Sequence, residues 1–156
     1  MRRSLHILTL IVFAWLVFLT AEALVGPHKL PSRIPTHFDA AGDPNDWSGP
    51  QTLLGLPFGA LVLYGILTLV ERRPESFHFN VTVTADKLPR LQALAIDMIA
   101  WLRLEVVLLF TWIQSLLIAG ARSSHSAPPP AFLPVVLGVL IATIAVYVVQ
   151  FRRAAK

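Results

Sequence analysis

From Leu5 to Val25 nearly every residue is apolar, and about 20 such residues at 1.5 Å per residue match the hydrocarbon core of a bilayer, about 30 Å thick. This run constrains the fold more than any other feature. In lipid each backbone N–H and C=O must be satisfied within the segment, so the run is a helix. Comparable stretches follow at 52–70 and 131–151, and a longer helical pattern with some polar positions covers 91–120. The chain is therefore predicted to be an all-α integral membrane protein, a single domain with four transmembrane helices. Its apolar fraction of 55% with only 14% charged residues fits that class, since a soluble domain carries about a quarter charged residues. Arg2, Arg3 and the Ala21-Glu22-Ala23 triplet imitate a cleavable signal peptide, but the apolar run exceeds the usual core of about 7–15 residues, which favours a span.

Between the first two spans, residues 26–51 hold most of the polar chemistry. Five prolines and three glycines between Gly26 and Pro50 rule out a continuous helix, and the segment is too polar for the hydrocarbon. Gly42-Asp43-Pro44-Asn45-Asp46 carries turn chemistry: Pro44 presets φ, Asp43 can bond the backbone two residues on, and Gly42 permits a positive φ. The segment is expected to be ordered. Farther along, Phe77 to Thr84 alternates as a short extended piece would. Thr84 or Asp86 is expected to cap a third helix, with Pro89 in its first turn.

Lysine and arginine set the orientation. Arg2, Arg3, Arg72, Arg73, Lys87, Arg90, Arg152, Arg153 and Lys156 fall on one side, against Lys29, Arg33 and Arg122 on the other. By the positive-inside rule both termini lie in the cytoplasm and residues 26–51 face outward. The expected location is the inner, cytoplasmic membrane. A pI near 10.1 then reports topology, and no nucleic acid is expected as a partner.

Few groups are placed for chemistry. His37, Asp39, Asp43 and Asp46 gather an imidazole and three carboxylates within ten residues, a donor set that could hold a cation, but the spacing fits no metal loop. Local hydrogen bonding explains them better: Asp39 and Asp46 to backbone amides, and His37 beside Trp47 or on a carboxylate. Without cysteine there is no disulfide, thiolate metal site or cysteine nucleophile. No phosphate loop, nucleophile elbow or zinc-protease helix is present, so neither an enzyme nor a cofactor is expected. Within the third helix, Arg103, Glu105 and Gln114 are intramembrane polar candidates. Arg103 and Glu105, two positions apart, cannot face each other, so each needs a partner on another element. Gly55 and Gly59 on the second helix, and Gly138, Ala142 and Ala145 on the fourth, form small faces suited to close packing.

The pattern Leu30-Pro31-x-x-Ile34-Pro35-x-His37-Phe38-Asp39-x-x-Gly42-x-x-Asn45-x-Trp47 resembles the hallmark segment of bacterial membrane proteins in domain-of-unknown-function family 1648. That family includes the amino-terminal part of SdpI-type toxin-immunity and signalling proteins. The resemblance implies that Pro35, His37, Asp39, Gly42, Asn45 and Trp47 are signature positions for a ligand or partner, with no catalytic role attached. Where the family often continues with a small residue and a lysine, this chain has Ser48-Gly49-Pro50-Gln51. Two functions are expected from different classes: a non-enzymatic immunity or signalling protein acting through its outer segment on an extracellular peptide, or an accessory subunit docked on a larger membrane protein complex. Membrane lipids are partners in either case.

Overall fold

The computed structural model describes residues 2–39, 43–79, 83–123 and 131–155. It contains α1 (Arg2–Val25), β1 (Ile34–Phe38), β2 (Pro44–Ser48), a short 3-10 helix (Pro50–Leu54) leading into α2 (Gly55–Glu71), then α3 (Leu88–Ser123) and α4 (Phe132–Ala155). Among the described residues, three stretches are long and apolar enough to cross a membrane: Arg2–Val25, Pro50–Glu71 and Pro134–Ala155. Their flanks carry large exposed side chains such as Ile11, Phe58 and Ile141. Such unpartnered apolar surface is stable in lipid and not in water, so the chain is a membrane protein.

The fourth long helix, α3, is different in kind. Its 36 residues span about 54 Å at 1.5 Å per residue, and each of the other three helices packs against it. Leu91, Ala95, Ile99, Arg103, Val107, Thr111, Gln114 and Ile118 form one buried stripe along it, at the three- and four-residue spacing that lines one helix face. α1 runs parallel to α3: Arg2 meets Asp97 near one end and Thr20 meets Gln114 toward the other. α2 and α4 run antiparallel to it, with Arg103 reaching Glu71 and Lys87 reaching the Ala155 carbonyl. Helical hydroxyls consume their own donors. Thr9, Thr20, Thr68 and Thr111 each donate to the carbonyl four residues back, at 2.7–2.8 Å, which hides a polar group from lipid.

Residues 26–51 do not fit the all-α expectation. They fold as a two-stranded antiparallel hairpin on the helix ends. The predicted turn at 42–46 is displaced, because Pro44 to Asp46 already lie in β2. The loop is closed one step earlier, where Asp39 N–H donates to the Asp43 carbonyl (2.9 Å) and Asp43 N–H donates to Asp39 Oδ1 (3.0 Å). The hairpin sits on a plug of Ala23, Leu30, Ile34, Leu53 and Ile118, all buried. Its entry is tight. Leu30 N–H donates back to the Ala23 carbonyl at 2.8 Å, and a Cβ at Gly26 would lie 2.6 Å from the Glu22 carbonyl oxygen.

Other expectations are revised at the opposite end. Pro74–Ser76 is a 3-10 turn, residues 77–79 have no regular structure, and 80–82 lie outside the described residues. α3 begins at Leu88 with Pro89 in its first turn, and the carbonyl of Thr84 accepts from the N–H groups of Lys87 and Leu88. Among the described residues, no helix of the same chain approaches Gly55 or Gly138 closely. Gly59 meets the Phe110 ring, while Gly55 and Gly138 have open space beside them.

Candidate functional site

The exposed face of the hairpin holds His37, Asp39, Asn45 and Trp47 of the signature residues. Register pairs Ile34 with Ser48, Pro35 with Trp47, His37 with Asp46 and Phe38 with Pro44. That register contains two irregularities, which leave Thr36 extra on β1 and Asn45 extra on β2. Bulges of this kind twist a ribbon and re-aim side chains. One consequence is the meeting of His37 and Asn45: Nδ1 of the imidazole, carrying the ring proton, donates to Asn45 Oδ1 at 2.6 Å. His37 thus takes an amide oxygen, and not the carboxylate named among its expected partners. Thr36 Oγ1 is buried with no hydrogen-bond partner.

Each remaining signature residue has a definite place. Ile34 and Pro35 are buried and fix β1 to the bundle. Asp39 turns its carboxylate to the Asp43 amide, and Asp46 Oδ1 accepts from Trp47 N–H at 2.8 Å. Trp47 stands 44% exposed on the outer face. Gly42 lies outside the described residues. Among the described residues no three His, Asp or Glu side chains converge to hold a metal ion, since the aspartates are spent on backbone amides. The result is a polar surface with one large aromatic on a buried footing.

The polar residues of α3 point to different neighbours. Arg103, 2% exposed, gives Nη1 to Glu71 Oε2 (2.6 Å) and to Thr68 Oγ1 (3.2 Å), and its guanidinium lies 5.3 Å from the centre of the Tyr64 ring. Glu105 faces α4, where Thr143 Oγ1 donates to Oε1 at 2.5 Å and Oε2 is buried without a partner. Gln114, fully buried, donates to Thr20 Oγ1 at 2.8 Å, leaving its own Oε1 unpartnered. These groups are strung along the bundle and do not form one site.

A second cluster was not singled out from the sequence. The Tyr64 hydroxyl lies within hydrogen-bond distance of the His6 ring (3.2 Å to Nδ1, 3.3 Å to Nε2), and Arg2 Nε donates to Asp97 Oδ1 at 2.5 Å. Tyr64, Thr68 and Glu71 recur at four and three residues, which places them on one face of α2 toward Arg103. That spacing is the signal the sequence offers for this cluster.

No curated protein and no solved structure matches the chain. Residues 6–61, from the first turns of α1 through the hairpin into α2, match the family model described as Domain of unknown function (DUF1648), so the signature positions and the hairpin fall within the matched segment.

Proposed function

We propose that this chain is a non-enzymatic recognition protein of the SdpI-like type, which offers its hairpin to an extracytoplasmic peptide and so acts in toxin immunity or membrane signalling. In this reading all four helices cross the inner membrane, both ends are cytoplasmic, and the hairpin stands outside. The observation that supports it is the division within the hairpin: Ile34 and Pro35 are buried against the helix ends, whereas Trp47, His37 and Asn45 are displayed. A large exposed aromatic on a rigid base is the kind of group that anchors binding interfaces.

The test uses cells lacking the gene, complemented with wild type, Trp47→Ala or Asn45→Ala, and challenged with secreted peptides of competing bacteria. Wild type should restore resistance and Trp47→Ala should lose it at equal membrane abundance. Equal protection by both variants would rule the reading out. Orientation is checked separately by labelling a thiol at Asn45→Cys with an impermeant reagent in intact cells.

A second reading, an accessory subunit of a larger membrane complex, is favoured by α4. Gly138, Ala142 and Ala145 lie exposed on it, and small residues of that kind let a companion helix approach closely. A stoichiometric partner surviving mild detergent, and lost on Ala142→Leu, would establish it.

A further inference from the structure

At the end of the bundle opposite the hairpin, a cleft of about 540 Å³ opens between the first turns of α1 and the last turns of α2. Its charged lining is Arg2, Arg3, Arg72 and Arg103 against the single carboxylate of Glu71. Glu71 is engaged by Arg103, and Arg2 is paired with Asp97. Arg3 and Arg72 have no ion-pair partner among the described residues. The cleft therefore keeps an excess of about two positive charges after its internal pairs are counted.

Three further observations point to an anion. Arg103 is nearly fully buried and lines the cleft, and its Nε, shielded from solvent, has no hydrogen-bond partner among the described residues. The first turn of α1 contains no acidic residue, so its free N–H groups and the positive end of its dipole are uncompensated there. The opposing carbonyls at the end of α2 are already capped, by Arg72 N–H on Thr68 and Arg73 N–H on Val70. An unsatisfied guanidinium N–H, two unpaired arginines and a helix N-terminus together fit a tetrahedral oxyanion. The floor of the cleft includes Ile7 and Ile96. Beyond it the flank of α1 stays apolar and exposed through Ile7, Leu10 and Ile11, which suits an acyl chain descending from the charged group.

We infer that this cleft binds a phosphate monoester, held between Arg3, Arg72 and Arg103, with the headgroup of an anionic phospholipid as the source the geometry favours. The inference is independent of what the hairpin recognises. It requires only that this end of the bundle lie at a membrane surface.

Native mass spectrometry of the whole chain released from mild detergent tests it, with phosphatidate as the probe, phosphatidylcholine as the neutral reference and inorganic phosphate as the soluble one. Arg3→Gln/Arg72→Gln removes two unpaired cations without touching the buried pair. It should weaken phosphatidate binding by roughly 30-fold, from about a kilocalorie per arginine near the surface. The control Arg152→Gln/Arg153→Gln removes two exposed arginines from α4 and should change binding less than about twofold, because neither contacts the cleft. If millimolar inorganic phosphate binds alone and displaces phosphatidate, the site is confirmed and its source is soluble phosphate. If only the lipid binds, the source is the headgroup. Equal loss in both double variants means general surface charge and overturns the site, as does binding no tighter than to phosphatidylcholine.

Discussion

Arg103 of α3 and Glu71 of α2 form an ion pair at 2.6 Å in which the arginine side chain is 3% exposed and the glutamate 22%. Removing the acid leaves a buried cation with only Thr68 and the Tyr64 ring for company. Glu71→Gln should therefore destabilise the protein by about 2–3 kcal/mol, short of the roughly 3–5 kcal/mol typical of a wholly buried pair because Glu71 is partly solvated. Arg103→Met should cost less than Arg103→Ala, since Met refills much of the volume. Thermal unfolding in detergent checks both.

Gln114 and Thr20 test how polar groups are valued between α3 and α1. Thr20→Val strands a buried amide and should cost about 1–2 kcal/mol. Gln114→Leu removes a bond and an unpartnered oxygen together, so it should cost under about 1 kcal/mol, in line with measured interhelical bonds in lipid. A double-mutant cycle in denaturant-driven unfolding separates these values. A larger loss for Gln114→Leu would contradict the arrangement.

Gly26→Ala places a methyl group against both the Glu22 carboxylate, which can swing away, and the Glu22 carbonyl oxygen, which only a backbone shift can relieve. The expected cost is about 1–3 kcal/mol, as for other overpacked sites. Glu22→Ala in the same chain should restore only part of the loss, because it removes the obstructing carboxylate but leaves the main-chain oxygen in place. Protease nicking within 26–51 should rise in the variant.

Trp47→Ala should leave the melting temperature within about a degree of wild type, as exposed positions generally do. Its effect on recognition should be large, about 30-fold in affinity for a central aromatic anchor. Titration of purified protein with the peptide identified by the resistance assay is the measurement.

Asp86, fully exposed ahead of α3, has its carboxyl held below the usual carboxylate range by the Thr84 hydroxyl first, then by backbone amides and the nearby Lys87 charge. A lowered value in the folded protein means the contribution is present above the ordinary pKa and is lost as pH falls through the lowered one. Thr84→Val should move the Asp86 titration upward, read from the carboxyl carbon chemical shift against pH.

The helices were legible because a bilayer-length apolar run leaves the backbone one solution. Which helix stands in the middle was not. α1, α2 and α4 are apolar on all sides, and only the recurrence of Arg103, Thr111 and Gln114 along one stripe marks α3 as the surrounded one. The hairpin was legible as order but not as strands. Pro44, Asn45 and Asp46 are turn formers taken singly, and the Asp39 carboxylate closed the loop before they were reached, which left them free to pair with β1. Gly55 and Gly138 have open space beside them in this chain, and spacing identifies a smooth face without saying what lies on it. The basic cleft needed tertiary structure, because Arg3, Arg72 and Arg103 are distant in the chain and meet only when α1 and α2 are laid on α3.

The mode of attachment of α4 has a mechanical consequence. Its contacts are made almost wholly with one neighbour, and among the described residues its side-chain fastenings to that neighbour are Thr143 on Glu105 and, beyond the span, the Ala155 carbonyl on Lys87. A segment stitched along a single seam can peel sideways while α1, α2 and α3 keep their own packing, as a door leaf swings without moving its frame. Motion among the helices is therefore expected to concentrate there, and distances between spin labels on α4 and α3 should be more broadly distributed than between labels on α1 and α3.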